Sequence, residues 1–335
     1  MQAGKLPPEV LTEMLERISV KDPRVFLGPK NGEDATLIDC GDRYLVVTMD
    51  PITFATDLTG WYLVQVNAND IFVMGAIPKW LLATIILPEG IDQRVMTDIF
   101  DQLLEACEVQ DITLVGGHTE VTHGISRPIV IGCMIGEVSK EKAVVKSSAR
   151  EGDEIILTEG IAIEGTSLLA REAYEELMDK GVSKDILEQA SQLLLDPGIS
   201  VAKACAVARR FPDVHGMHDP TEGGLASALR EVAGASELGV FIDYSKVNVI
   251  PECQIICDTL NLDPMGLISS GALLIIVSQG ESLNLIEALS KEGVDAEQIG
   301  RLWPAENGIK MACGDDIFEI PNFERDELAR YFSTK

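Results

Sequence analysis

The sequence predicts a mixed α/β (α+β) chain of two domains, and three observations carry that expectation. Its 335 residues exceed the roughly 100–200 that one domain usually holds. Strand-like runs alternate irregularly with stretches of helical apolar spacing from one end to the other. Apolar residues make up 46% and aromatics 5%, enough for ordinary cores of Ile, Leu, Val and Ala, which excludes fibrous, collagen-like and disordered chains.

The elements follow in order. After Pro7-Pro8, Leu11, Met14, Leu15 and Ile18 share one face at helical spacing and read as a short amphipathic helix. A glycine-bearing loop, Gly28 to Gly32, leads to two β-rich runs, Ala35–Asp39 and Tyr44–Asp50, joined as a hairpin by Gly41-Asp42. A helix fits from about Trp61 to Met74, stopped at Gly75 with Pro78 beyond, and a strand follows over Trp80–Leu87. The next helix, Asp92–Val109, sets Val95, Ile99, Leu103 and Cys107 on one stripe. The strand Ile112–Val115 then runs into Gly116-Gly117, read as a tight turn, and Ile129–Val138 closes the first half. The basic, serine-containing loop Lys146–Arg150 marks the boundary, giving domains 1–148 and 149–335.

The second half opens with the strand Glu154–Thr158 and glycines at 160 and 165, then helices over about Thr166–Lys180 and Ser200–Phe211. A helix over Thr221–Ala233 follows, with Asp219 or Thr221 as its cap. Strand-like stretches at Val240–Asp243, Ala272–Val277 and Ile309–Cys313 alternate with helices such as Ser282–Lys291.

Charge narrows the function. Lys and Arg number 27 against 54 Asp and Glu, a net charge of -27, the wrong sign for a protein that tracks a phosphate backbone, so no nucleic-acid partner is expected. A polyanionic ligand such as a nucleotide would need metal cations or backbone N–H groups to offset the repulsion, and magnesium is the natural ion. No window of about 18 apolar residues is found, and Met1 to Pro8 lacks the pattern of a secretion signal. A cytoplasmic protein without a membrane partner is therefore expected. The seven cysteines include no CxxC and read as reduced thiols.

Three clusters could carry chemistry. Asp34, Asp50 and Asp70 come from separate elements, as a magnesium site touching phosphate oxygens requires. Turn capping explains Asp34 equally well. It does not explain Asp70, which lies beside Asn69 and ahead of Ile71-Phe72-Val73-Met74. The second cluster is Gly116-Gly117-His118-Thr119-Glu120, where glycine lets backbone approach a ligand and a hydroxyl can donate to phosphate, although an ordinary turn would use the same pair. The third is Met217 to Leu225, whose Gly223-Gly224 stands in the first turn of a helix at a cost of up to ~1 kcal/mol per residue. Either close packing or a ligand demands something small there. Neither of the two commonest glycine-rich phosphate loops is present, no G-x-S-x-G supports a Ser-His-Asp reading, and four histidines with seven cysteines show no paired zinc spacing. Cys253 and Cys257, at i and i+4 of a helix, read as core thiols.

Taken together, Gly32-Glu33-Asp34-Ala35, Thr48-Met49-Asp50-Pro51, Val66 to Ile71 followed by Met74 to Pro78, Gly116 to Thr119 and Asp219 to Leu225 occur in the order seen in the aminoimidazole ribonucleotide (AIR) synthetase superfamily. The chain resembles that superfamily over nearly its whole length, and Leu262 to Leu274 is most similar to the HypE branch. The resemblance implies a PurM-like fold, with an N-terminal α/β domain that dimerises through its strands and a C-terminal α/β domain. It also implies ATP and Mg2+ in a cleft between the two. Asp34, Asp50 and Asp70 would hold the metal and phosphates, Asn69 beside them. Gly116, Gly117 and Thr119 would approach the nucleotide, as would Thr221, Gly223 and Gly224 around Asp219. Asp219 and Lys5 would be catalytic.

The implied chemistry is phosphoryl transfer from ATP that activates a small carbonyl, amide or related acceptor through metal neutralisation and positioning. The alternative is a nucleotide-binding accessory protein in hydrogenase or other metalloenzyme maturation, acting through a protein partner. Two departures stand out. The sequence ends Tyr331-Phe332-Ser333-Thr334-Lys335, without the C-terminal cysteine that HypE presents, and His118 stands where several relatives carry an acid. Lys5, in Gly4-Lys5-Leu6-Pro7, matches the catalytic lysine of selenophosphate synthetase or is an ordinary terminal residue.

Overall fold

The computed structural model describes residues 4–30 and 32–334. The chain divides into two compact units: residues up to Ser19, Pro29–Glu33 and everything from Val144 onward form the larger, and Val20–Gly28 with Asp34–Ala143 form the smaller. Helix α1 (Pro8–Leu15) belongs to the larger unit. It ends sooner than the apolar spacing predicts, closing in short bonds from Arg17 N–H to Met14 O and Ile18 N–H to Leu15 O, and Ile18 is half exposed beyond it.

The smaller unit is built on a six-stranded sheet of order β1-β2-β3-β6-β4-β5. The strands are β1 (Val25–Leu27), β2 (Thr36–Asp39), β3 (Arg43–Ile52), β4 (Ile77–Pro88), β5 (Thr113–Thr122) and β6 (Ile129–Ser139), with helices α2 (Thr59–Val73) and α3 (Gln93–Val109) between them. The expected hairpin is β2–β3, pairing Asp39 with Tyr44 across Gly41. Helix α2 packs over β3 and β6, burying its apolar residues together with Asn67, Asn69 and Asp70. Asp92 caps α3 by accepting from Arg94 N–H at 2.8 Å, and Ile99, Leu103 and Cys107 are its buried stripe, while Val95 is exposed.

Two expectations are corrected here. The helix stops at Gly75 as expected, with φ +73°, but the next strand begins at Ile77 rather than Trp80, and Pro78 pairs with Gly136 inside β4. Gly116-Gly117 do not form a turn. They lie within β5, an edge strand parallel to β4, in which a Cβ on Gly117 would sit 1.8 Å from the Ala83 carbonyl oxygen. Glycine is required there by strand pairing.

The larger unit holds a seven-stranded sheet of order β13-β12-β9-β11-β7-β10-β8. Its elements are β7 (Glu154–Thr158), α4 (Ile163–Glu172), α5 (Tyr174–Asp179), α6 (Lys184–Gln192), α7 (Ala202–Ala208), β8 (Val214–His218), α8 (Gly224–Ser236), β9 (Gly239–Asp243), α9 (Pro251–Leu260), β10 (Leu274–Val277), α10 (Ser282–Lys291), β11 (Ala296–Trp303), β12 (Ile309–Cys313), β13 (Asp316–Glu319) and α11 (Glu327–Phe332). All four residues of β10 are buried, so both faces of the sheet are covered there. Leu225, Leu229 and Val232 of α8 join Ile155, Val240, Ile242, Leu274 and Ile276 in one core.

The single helix expected over Thr166–Lys180 is two, α4 and α5, interrupted at Ala173. The helix expected from Thr221 begins at Gly224, and its cap is Gly223 rather than Asp219 or Thr221. No helix among the described residues is long and apolar enough to cross a membrane.

Candidate functional site

In the smaller unit, the acids singled out from sequence are tied to backbone by short polar side chains. The Thr48 hydroxyl, on β3, donates to Asp70 Oδ2 of α2 at 2.6 Å and lies 3.1 Å from the Asp34 carbonyl oxygen. Thr48 and Asp70 are 8% and 7% exposed, so this is a buried carboxylate with a designated donor. About one helical turn earlier, Asn67 ties down the backbone of Asp50 on β3. Its Oδ1 accepts from Asp50 N–H at 3.0 Å, and its Nδ2 donates to Leu63 O at 2.9 Å and to Asp50 O at 3.3 Å. The amide fits because Gly132 faces it from β6, where a Cβ would come within 2.8 Å of Nδ2.

Asp34, Asp50 and Asp70 thus lie on a loop, a strand and a helix linked by Thr48 and Asn67 through two backbone segments and the Asp70 carboxylate, and Asn69, next to Asp70 in α2, is fully buried. Their donors are all carboxylate oxygens, the hard ligands that suit Mg2+. Gly116, Gly117, His118 and Thr119 lie along exposed β5, where His118 Nε2 is 3.2 Å from Glu120 Oε2.

In the larger unit, the motif around Asp219 forms a compact polar cluster. Gly223 takes φ +84° and Gly224 φ +61°. A Cβ on Gly224 would lie 2.5 Å from Met265 O and 2.7 Å from Leu267 O. Close packing therefore explains the second glycine without a ligand. The free end of α8 is closed from far along the chain: Asp326 Oδ2 accepts from Gly223 N–H at 2.6 Å and its Oδ1 from Leu328 N–H at 2.7 Å. Burial outweighs these bonds and pushes the Asp326 carboxyl up to about 8, with the charges of Glu222 and Glu164 adding to the shift. Burial likewise raises Glu164, on α4, to about 7, with Glu222 and Asp219 close enough to contribute. Asp219 itself is 1% exposed.

Lys5 docks on this cluster. Its backbone N–H donates to Glu222 Oε2 at 2.9 Å, and its Nζ donates to Thr221 Oγ1 at 3.1 Å and lies 3.9 Å from Glu231 Oε1. Behind it runs a chain that sequence reading did not assemble. Buried Lys146 Nζ is 3.3 Å from His218 Nδ1, and His218 Nε2 is 2.7 Å from Glu231 Oε2. An ammonium can only donate, so His218 carries its hydrogen on Nε2 and donates it to Glu231. Glu164 carries a local signal of the kind that marks Asp70, because it directly adjoins the apolar run Ile161-Ala162-Ile163. Asp326, about a hundred residues from the helix it closes, carries no such local signal.

The chain matches a known protein family and known folds. The N-terminal domain model of AIR synthase related proteins matches residues 32–138, and the C-terminal domain model matches residues 150–309. A hydrogenase expression/formation protein of Methanocaldococcus jannaschii is 29% identical over 331 residues, spanning 95% of this chain and 94% of the relative. The structure of hydrogenase maturation protein HypE in complex with ATP superimposes with a TM-score of 0.68 at 21% identity, covering 95% of this chain and 91% of that one. A chain of the crystal structure of the HypE–HypF complex gives a TM-score of 0.72 at 22% identity, covering 86% of this chain and 93% of that one.

Proposed function

Because the chain belongs to the AIR synthase related protein family, we propose that it is a Mg-ATP-dependent enzyme that phosphorylates or otherwise activates a small carbonyl, amide or related acceptor. The observation that carries this reading is the buried Asp70 carboxylate, held by Thr48 on the inner face of α2 beside buried Asn67 and Asn69. A chain without a cation or phosphate to serve has no reason to keep a desolvated acid there. The ATP complex of HypE supports the nucleotide.

Asp34, Asp50 and Asp70 are the residues that would hold Mg2+, which when bound neutralises phosphate charge. The remaining work falls to this chain's own side chains. Thr48 holds the Asp70 carboxylate and Asn67 the backbone of Asp50, which lowers the ordering required when nucleotide arrives. Lys5 Nζ presents a positive charge above Thr221 that can bind a transferred phosphoryl group or the acceptor oxygen. Asp219, buried at the end of β8, is the acid placed to orient the acceptor.

A second reading has its own support. The relative named for hydrogenase expression and formation, and the HypE–HypF complex, favour an accessory role in metalloenzyme maturation through a protein partner. We also assign a homodimer to the smaller unit. The sheet face not covered by α2 is apolar, with Met49, Cys133 and Leu82 in one row leading to Gly116 of β5, and β5 is exposed along nearly its whole length. Such an open face and edge call for a cover.

Isothermal titration with ATP, with and without magnesium, followed by phosphate release in the same sample, tests the enzyme reading. Magnesium-dependent binding supports it, and no binding under either condition overturns it. Turnover that rises only when a partner protein is added supports the accessory role. Sedimentation decides the dimer.

A further inference from the structure

Away from the Asp219 cluster, the seven-stranded sheet brings a serine, a histidine and an aspartate into line. Strand β10 lies between β7 and β8, and its register sets Val277 opposite both Glu154 and Val214. Asp153 and Ser278 lie just beyond that row, and His215 is the bulged residue of β8 between Val214 and Gly216, so the three meet at one end of three adjacent strands. Asp153 precedes β7, His215 is the second residue of β8, and Ser278 follows β10. His215 Nδ1 is 2.8 Å from Asp153 Oδ2, and Ser278 Oγ is 3.3 Å from His215 Nε2.

The chemistry of the three groups fixes their roles. The Asp153 carboxylate, 5% exposed, only accepts, so His215 carries its hydrogen on Nδ1. That leaves Nε2 as an acceptor for the Ser278 hydroxyl, the tautomer an imidazole needs to act as a general base. The Arg150 N–H donates to the same Asp153 oxygen at 2.7 Å and keeps it aimed at the ring. The histidine side chain is 13% exposed. The serine is half-buried at the mouth of a strand–turn–helix passage into α10, followed by exposed Gln279 and Gly280. Around Gly280 there is open space, since a Cβ there would meet nothing within 4 Å. Ser278-Gln279-Gly280 also supplies the latter half of the serine motif whose complete form is missing from the sequence.

We propose that Ser278, His215 and Asp153 form a second, nucleotide-independent site, in which Ser278 is a nucleophile toward small activated carboxylic esters. Ser278 Oγ bonds to the carbonyl carbon as the ester C–O bond breaks. The hydroxyl proton passes to His215 Nε2 and from there to the departing alkoxide. Water, deprotonated by the same nitrogen, then cleaves the acyl-serine, releasing the carboxylic acid and restoring the hydroxyl. The Ser278–His215 distance is at the long end for such a pair, as in sites that tighten around substrate.

The test uses the intact chain without ATP, a fluorophosphonate probe with peptide mapping, and hydrolysis of p-nitrophenyl acetate. The expected result is an adduct on Ser278 and ester hydrolysis that Ser278→Ala abolishes. Labelling should slow by about 10²-fold or more in His215→Gln, the usual contribution of a general base. Asp153→Asn should also slow it in a chain that remains folded. An intact chain that gives no adduct on Ser278 overturns the proposal, however the variants fold. So does labelling that proceeds equally fast in a folded His215→Gln chain.

Discussion

Thr48 and Asp70 are joined by a 2.6 Å hydrogen bond inside the smaller unit, the strand hydroxyl donating to the helix carboxylate. This bond lets an acid sit in the wall of an apolar core. An amide at position 70 can still accept from Thr48 through its own oxygen, so Asp70→Asn should keep fold and melting temperature. It removes the charge, and Mg-ATP affinity by calorimetry should fall by at least about 10-fold, which corresponds to ~1.4 kcal/mol. Unchanged affinity would remove Asp70 from the metal site. Thr48→Val removes this one donor to the carboxylate and should cost about 1 kcal/mol of stability in chemical denaturation.

Helix α8 offers an internal control for glycine. Gly224 has φ +61° and no room for a Cβ, with Met265 O at 2.5 Å, whereas Gly234 in the same helix has open space around it. Gly224→Ala should therefore destabilise the larger unit by more than about 1 kcal/mol, through backbone strain and overlap together. Gly234→Ala should stabilise by about 0.5–1 kcal/mol. Thermal melts of the two variants shifting in the same direction would contradict this account.

Burial of Glu164 makes a signed prediction for pH. Its carboxyl stands at about 7 in the folded chain against an ordinary 4.5. The native state therefore holds a proton that the unfolded state releases between those values. Its contribution is most favourable below pH 4.5, is lost as pH rises toward 7, and is flat above. The full loss is about 3 kcal/mol. Glu164→Gln cannot ionise, so the stability difference between variant and parent should swing in favour of the variant across that window. A constant difference from pH 4 to 8 would show that Glu164 does not titrate as its burial implies.

How far the sequence could be read depended on the range of the interaction. Asp70 stood out because its neighbours in sequence are also its neighbours in the core, and Gly223-Gly224 because glycine in a first helical turn is costly wherever it occurs. Gly116-Gly117 misled for the complementary reason. A turn and an edge strand pressed against a neighbour both require a missing side chain, and only the pairing with Ala83 tells them apart. The spacing around α8 points to Asp219 or Thr221 as its cap, whereas the group that receives the Gly223 N–H is Asp326, on a segment remote in sequence. Strands such as β8 and β11 are too short or too polar to announce themselves, and they become strands through partners on both sides.

Lys5 separates a structural from a catalytic contribution most directly. Its side chain is 53% exposed, and its ion pair with Glu231 is of the kind worth less than about 1 kcal/mol. Lys5→Met should leave the melting temperature nearly unchanged. If the ammonium above Thr221 binds the transferred group, the same change should lower kcat for ATP turnover by about 10²-fold or more with little effect on ATP affinity, because the charge then acts where negative charge develops. Arginine at that position keeps the charge but not the compact geometry that reaches Thr221 Oγ1, so Lys5→Arg should restore only part of the rate. Full activity in Lys5→Met would reduce the contact with Thr221 to a terminal tether and leave Asp219 and the buried acids to account for catalysis.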